Sequence, residues 1–540
     1  MVTQKLLSNL FAEFPFPYFG DFGDSPAVNG VVIDSRKAQP GNLFIAMPGG
    51  SADGHKFIPA AIAQGAAAIV GQEQMAGLAV PYIRVENARQ AVTYLASAFH
   101  DYPGKKLTVI GVTGTDGKTT TSNLLYHILI AAGIKAGMIS TVNAVIGGEE
   151  LDTGFHVTTP DAPDVQLYLA KMVAAGLTHV VLETTSHGLA QFRADASLYD
   201  IGVVTNITHE HLNDHGSLEA YRAAKARLFE LLAETPPKNG KSCRLAVLNR
   251  DDWSYDYLSN VIRVANSKLT SDQEASQTPS LQGPISHLIY GIGGRADLRA
   301  ENVHFLPSGL TFDAVGENFS VPIHSLLVGD FNVSNILAVL TASILGLGID
   351  PQDAARGIAA LTGIPGRMEC IDYGQPFSAI VDFAHTPNAL KNAIETVRRL
   401  TDKRVIVAFG SAGLRDKLKR RMMAEISAEL ADISVLTAED PRTEPLDSIL
   451  EEMAAGARAK GGVEGESFWR VPDRGEAIRF MLKLAQPGDI VMACGKGHEQ
   501  SMCFETTEYP WDDRTAMRAA LTEFMGVAGP PMPYLPTQGA

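Results

Sequence analysis

Gly111-Val-Thr-Gly-Thr-Asp-Gly-Lys-Thr-Thr120 lies between an apolar run, Leu107-Thr-Val-Ile-Gly-Val112, and a segment, Lys118 to Ala132, with the apolar spacing of a helix. Strand, glycine turn and helix together form the setting in which backbone N–H groups converge on an anion at a helix N-terminus. Gly114 and Gly117 permit the tight turn, with Thr115 and Asp116 between them. Lys118 supplies a point charge for the β- and γ-phosphates of a nucleotide, and the Thr119 hydroxyl, followed by Thr120, suits Mg²⁺. The spacing from Gly111 to Gly117 is one residue longer than in the common phosphate loop, so Gly114-Thr-Asp-Gly-Lys-Thr119 is a variant of it. A bare glycine turn has no need of a lysine directly after its last glycine. The stretch therefore predicts ATP chemistry on a parallel α/β sheet.

At 540 residues the chain exceeds one hydrophobic core, and roughly two to four domains are expected. A hydrophobic fraction of 45% is ordinary for a soluble protein, and a net charge of −15 argues against a surface that embraces nucleic acid. Cys243, Cys370, Cys494 and Cys503 form no CxxC pair and no metal-finger spacing, which reads as structural thiols in a reducing compartment. Met1 to Asp24 lacks a basic start followed by an apolar core, and no apolar run reaches spanning length. A cytoplasmic monomer without membrane insertion is expected.

Residues 1–103 carry short strands (Val28 to Ile33, Leu43 to Met47, Ala67 to Val70, Tyr82 to Val85) and two helices (Phe57 to Gln64, Ala88 to Phe99). The turn cluster Asp101-Tyr-Pro-Gly104 marks a boundary. From 104 to 363, strands (Thr178 to Glu183, Ile201 to Thr205, Arg244 to Asn249) alternate with helices (Asp164 to Ala175, Leu218 to Leu232), the pattern of a parallel sheet covered on both faces. Ser267 to Gly283, rich in Ser, Gln and Thr, reads as a mobile surface loop. The alternation resumes over 364–525 with strands at Ser378 to Phe383, Arg404 to Phe409, Asp432 to Leu436 and Asp489 to Cys494. Residues 526–540, rich in Pro and Gly, read as a disordered tail.

Further signals follow the cradle in series: Thr158-Thr-Pro160, Glu183-Thr-Thr-Ser-His-Gly188, Asn206-Ile-Thr-His-Glu-His-Leu-Asn-Asp-His-Gly216 and Tyr221-Arg-Ala-Ala-Lys225. They continue in Gly329-Asp-Phe-Asn-Val-Ser-Asn335, Gly366-Arg-Met-Glu369, Val381-Asp-Phe-Ala-His-Thr-Pro387, Gly410 to Arg420, Glu439-Asp-Pro-Arg442 and Gly495-Lys-Gly-His-Glu499. With Asp34-Ser-Arg36 and Gly41-Asn-Leu-Phe-Ile45 near the start, the chain resembles the Mur ligases over nearly its whole length. The resemblance implies a small α/β N-terminal domain that binds a UDP substrate, a central ATPase-like domain and a C-terminal Rossmann-like domain. It also implies addition of a diamino acid to UDP-N-acetylmuramoyl-L-alanyl-D-glutamate, through an acyl phosphate, in peptidoglycan synthesis.

That chemistry suits the residue types. A carboxylate is a poor electrophile until ATP converts it to an acyl phosphate, and the charge that develops must be met by metal ions and cations aimed in advance. The resemblance places Glu183, His211 and Lys225 at a second Mg²⁺ site. An ammonium cannot ligate Mg²⁺; in this family the lysine becomes a CO₂-derived carbamate, so Lys225 is expected where burial favours a neutral amine. His209 and His215 flank His211, but no nearby cysteine or HExxH helix supports zinc. His187 and His385 are expected to bond backbone or substrate. By resemblance, Ile33, Ser35, Arg36, Ser51 and Ala52 cradle the UDP moiety. Thr158, Thr159, Thr185, Gln191 and Arg193 hold the muramoyl dipeptide, and Asn332, Arg367, Asp382 and His385 reach the nucleotide. Arg415, Glu439, Asp440, Pro441, Arg442, Gly495 and Glu499 form the amino-acid pocket. Glu439-Asp440 departs at two positions from the Asp-Asn often found in the family. The arginine of that motif favours meso-diaminopimelate, whose distal carboxylate it can clamp, whereas the extra charge of Asp440 suits lysine or ornithine.

A folylpolyglutamate synthetase would use a similar cradle, but it lacks the UDP-binding N-terminal unit and the Asp-Pro-Arg element. A catalytically dead relative serving only as a binding partner is opposed by intact Lys118, Thr119, Glu183, His211 and Lys225. A motor or switch NTPase leaves the C-terminal motifs without a role.

Overall fold

The computed structural model describes residues 4–49, 53–151, 159–208, 216–238, 243–276, 283–306 and 309–537. The chain divides into two compact units, Met1–Ala300 with Ala314–Val321 and Ser334–Gly357, and Glu301–Asp313 with Pro322–Val333 and Ile358–Ala540.

Two sheets of the first unit position the site. The smaller contains parallel neighbours Gly30–Val32, Asn42–Ile45, Ala68–Gly71 and Tyr82–Val85, covered by the helix Ala88–Phe99. That helix is apolar along one face, from Ala88 through Val92 and Leu95 to Phe99, and its hydroxyl Thr93 reaches beyond its own sheet. Thr93 Oγ1 donates to Phe192 O at 2.5 Å and Gln90 Nε2 to Asp195 Oδ2 at 3.3 Å. The larger sheet contains the parallel series Ala136–Ile139, His179–Glu183, Thr108–Thr113, Ile201–Val204, Leu245–Asn249 and Ser286–Gly291. Its strands are buried on both faces, which is why they read as continuous apolar runs. Register sets Glu183 beside Val112, and Val112 beside Val203. The ends of these strands, where open α/β sheets bind ligands, therefore form one row.

The second unit holds a sheet in the order Glu369–Ile371, Ser378–Asp382, Ile490–Cys494, Val405–Phe409, Ile433–Leu436 and Phe468–Arg470, parallel except at its first edge strand. Asp382 pairs with Cys494, Cys494 with Phe409 and Phe409 with Leu436. All four strand ends, and the motifs that follow them, thus face the same way.

Two expectations are corrected. Ser267 to Gly283 is not a loop throughout: the helix Tyr255–Ser276 runs through its first part, and 277–282 lie outside the described residues. Leu258, Ile262 and Ala265 bury one face of that helix. Once it is nucleated, extension through polar residues costs little, and Ser267 and Thr270 bond back to Arg263 O and Asn266 O. The segment after Met525 is not a disordered tail over 526–537. Gly526 caps the helix Asp513–Met525 in the left-handed region, Leu535 is fully buried, Met532 packs on the core, and Thr537 Oγ1 donates to Asp473 Oδ2 at 2.7 Å. Among the described residues no helix is long and apolar enough to cross a membrane.

Candidate active site

The glycine turn is shaped by close approach. Gly114 has φ +154° and a Cβ there would meet Thr205 Oγ1 at 1.8 Å; Gly117 has φ +79° and faces Asn335 Oδ1 at 2.3 Å. Gly111, by contrast, lies inside the strand and makes room for Leu228 and Tyr199; it is a packing glycine, and the turn glycines are the other two. The loop is pinned from behind: Thr115 N donates to Asn206 O and Asp116 N to Asn206 Oδ1, Thr205 Oγ1 donates to Asp116 O at 2.6 Å, and Thr115 Oγ1 and Tyr221 OH lie 3.0 Å apart. Lys118 Nζ donates to Thr115 O at 2.7 Å, so its charge lies over the loop. Thr120 follows in the first turn of the helix Lys118–Ala131.

Glu183, at the end of the neighbouring strand and 1% exposed, is the centre of this site. Its Oε1 accepts from Thr119 Oγ1 at 2.9 Å and from Thr141 Oγ1 at 2.8 Å, and its Oε2 accepts from Thr141 N at 2.9 Å. A hydroxyl and a carboxylate side by side are hard oxygen donors that fit Mg²⁺. Lys225, 1% exposed on the helix Leu218–Glu234, donates from Nζ to Gly114 O at 2.5 Å, with the Tyr221 ring 4.5 Å away.

Immediately beside Glu183 four more expected residues converge. Thr159 Oγ1 donates to Glu183 O at 3.2 Å and lies 3.1 Å from Thr185 Oγ1, which caps the short helix Ser186–Ala190 by accepting from Gly188 N. Arg193 Nη1 donates to Thr159 O at 2.8 Å, and Arg193 Nε and Nη2 both donate to Gln191 Oε1. In the smaller sheet Ser35 is buried, Ile33 half-buried, and Arg36 is exposed and held by Asp34 next to it. Thr158, His211, Ser51 and Ala52 lie outside the described residues.

The second unit gathers its motifs at the row of strand ends. Asp382 accepts from Met368 N and Ala384 N, and burial pushes its carboxyl above the usual range. Arg367 stacks 4.4 Å from the Phe383 ring centre. His385 Nδ1 lies 2.9 Å from Phe383 O, and burial, reinforced by Lys419, holds the ring well below the ordinary histidine range. Asn332 Nδ2 donates to Val328 O at 2.9 Å, in the same unit. Glu439 is buried with Oε2 lacking a hydrogen-bond partner, and burial raises its pKa. Gly495 lies against that carboxylate, where a Cβ would meet Oε2 at 2.6 Å. Asp440 takes the fully buried Lys496 ammonium at 3.1 Å on both oxygens and Cys503 N at 2.9 Å; Lys496 also pairs with Glu499. Asp440 is thus paired with Lys496, which it shares with Glu499. Asp440 and Arg442 both have positive φ, and the hairpin after Ser501 holds them there, through Arg442 N to Cys503 O and Glu505 N to Arg442 O. Pro441 is buried with its carbonyl against Gly413, and Arg415 is exposed in the same loop.

Three family models match the chain: "Mur ligase family, catalytic domain" at 27–100, "Mur ligase middle domain" at 112–343 and "Mur ligase, glutamate ligase domain" at 366–497. The UDP-N-acetylmuramyl-tripeptide synthetase of Roseiflexus sp. is 41% identical over 94% of this chain and 96% of that protein. The chain belongs to the Mur ligase family. A Geobacillus thermodenitrificans UDP-N-acetylmuramoyl-L-alanyl-D-glutamate–2,6-diaminopimelate ligase is 37% identical over 97% of this chain and all of that protein. A solved structure of a ligase of the same description is 30% identical, with TM-score 0.64 over 97% of this chain and 99% of that one. A folylpolyglutamate synthase of Mycobacterium tuberculosis, 13% identical with TM-score 0.60 over 80% of this chain and 94% of that one, shares the fold.

Sequence reasoning missed several residues that build this Mur ligase site. Asn206, Tyr221, Asn335 and Lys496 stood inside quoted motifs without a role. Thr141 stood in none, although its place just past the strand Ala136–Ile139, next to His179–Glu183, was a usable signal. The close fit at Gly117 gives a test. Gly117→Ala forces a left-handed alanine against Asn335, at about 1–3 kcal/mol. ADP affinity, measured by calorimetry, is expected to fall by the corresponding factor with the circular dichroism spectrum unchanged; unaltered affinity would show that the turn does not hold phosphate.

Proposed function

We propose that this Mur ligase joins a diamino acid, meso-diaminopimelate before lysine or ornithine, to the glutamate carboxylate of UDP-N-acetylmuramoyl-L-alanyl-D-glutamate, with ATP converted to ADP and phosphate. The observation that carries the reading is the meeting of two clusters at Glu183, the glycine turn through Thr119 and the Thr159, Thr185, Gln191 and Arg193 group through Thr159, with Lys225 bonded to Gly114 O of the same turn.

Lys118 and the loop N–H groups orient the γ-phosphoryl group and meet its charge. Arg193, with a planar fork set by Gln191, suits a substrate carboxylate or phosphate. The substrate carboxylate takes the phosphoryl group, and the amine then attacks the acyl carbon and expels phosphate. Mg²⁺, when bound, neutralises charge gathering on the phosphates; Thr119, Glu183, His211 and a Lys225 carbamate would hold it. Burial of Lys225 supports the carbamate, because CO₂ adds to a neutral amine and water favours the charged one. Ser35, Arg36, Ser51 and Ala52 would receive the UDP moiety, and Asn332, Arg367, Asp382 and His385 the nucleotide.

Arg442 carries the amino-acid choice. Asp440 is engaged with Lys496, so the extra carboxylate does not recast the pocket for a plain diamine, while the guanidinium can clamp a distal carboxylate. Phosphate release is expected only when the UDP-dipeptide and a diamino acid are both present. Arg442→Ala should cost diaminopimelate about 1.5–3 kcal/mol of transition-state binding and spare lysine. Equal losses, or a wild-type preference for lysine or ornithine, would overturn that choice. Lys225→Ala is expected to lose at least ~10²-fold in turnover and to recover partly with acetate or propionate; a fully active Lys225→Ala protein would remove the carbamate.

A further inference from the structure

Arg474 opens the helix Arg474–Leu484 in the second unit and is 1% exposed. Its Nε and Nη2 pair with both oxygens of Asp513 at 2.7 and 2.6 Å, and Trp511 Nε1 donates to the same carboxylate at 2.8 Å. Two further donors go elsewhere: Nη1 to Ala438 O at 3.0 Å and Nη2 to Cys494 O at 2.8 Å. Ala438 immediately precedes Glu439, and Cys494 immediately precedes Gly495.

These carbonyls follow strands that are not neighbours, because Val405–Phe409 lies between Ile433–Leu436 and Ile490–Cys494. No ladder hydrogen bond can fix one against the other. One guanidinium spans the gap, and its planar fork alone can serve a bidentate carboxylate and two divergent carbonyls at once; an ammonium cannot. Net stability alone does not call for the arrangement. A buried ion pair is often no better for folding than well-packed apolar residues, whereas a satisfied network fixes one geometry.

We propose that Arg474 is a positioning residue for the amino-acid pocket: by holding Ala438 O and Cys494 O against Asp513, it sets the spacing between Glu439-Asp-Pro-Arg442 and Gly495-Lys-Gly-His-Glu499. The proposal rests on the reading of those two segments as the pocket. The neighbouring Asp473 caps the helix through Glu476 N and accepts from Thr537, so the C-terminal segment seats the same first turn.

Steady-state kinetics on Arg474→Lys, Asp513→Asn and Trp511→Phe test it. The KM for the diamino acid is expected to rise by about 10- to 100-fold in the first two, the range for losing a partner that orients a binding residue, and less in Trp511→Phe. The KM values for ATP and the UDP-dipeptide should stay within a factor of about two. An unchanged amino-acid KM in a folded variant, a parallel rise in all three KM values, or failure of all three variants to fold would overturn the proposal, leaving Arg474 as a fold determinant. Wild-type protein that turns over ATP without needing the UDP-dipeptide and a diamino acid would instead overturn the functional reading.

Discussion

The Glu183 carboxylate accepts three hydrogen bonds, from Thr119 Oγ1, Thr141 Oγ1 and Thr141 N, while its own backbone carbonyl accepts from Thr159. A buried carboxylate is costly unless its lone pairs are used, so this residue ties together everything that satisfies it. The phosphate-turn helix and the strand end at Ile139 are joined through its side chain, and the Thr159–Arg193 cluster through its backbone carbonyl. The parallel register makes this possible, because it delivers the end of Thr108–Thr113 and the end of His179–Glu183 to the same level.

The second unit solves an equivalent problem with cations. Three acidic side chains, Glu439, Asp440 and Glu499, come from two strand-end segments, and buried Lys496 pairs with two of them. Glu439 is left with a buried oxygen that has no hydrogen-bond partner, the kind of group whose cost a bound ammonium would relieve. Beneath, Arg474 and Asp513 join the strands that carry these segments. Removing charge from such a layer does more than subtract a contact, since a stranded buried partner carries its full desolvation cost.

Much of this was legible in the sequence because it follows from local rules. Thr108–Thr113, His179–Glu183 and Val405–Phe409 announce themselves as apolar runs closed by motif residues, and the helix Ala88–Phe99 agrees with its expected limits to the residue. What the sequence could not tell of Gly111, read inside its strand, is why that position is glycine: its missing Cβ makes room for Leu228 and Tyr199, over a hundred and about ninety positions away. The helical reach of Ser267 to Ser276 was hidden by polar composition, and the packing of 526–537 by proline content, although Met532 and Leu535 are apolar landmarks there. Thr141 and Arg474 were invisible for a different reason. Their roles are hydrogen bonds to partners fixed only by sheet order, and no motif spacing encodes them.

Oxygen transfer tests the central claim most directly. With UDP-N-acetylmuramoyl-L-alanyl-D-glutamate carrying ¹⁸O in its glutamate carboxylates, ATP and a diamino acid, the carboxylate oxygen that attacks the γ-phosphorus must leave with the phosphate when the amine displaces it. The account predicts a single ¹⁸O in each phosphate released, in step with amide formed. Phosphate released without label, or labelled phosphate without the diamino-acid amide, would contradict it.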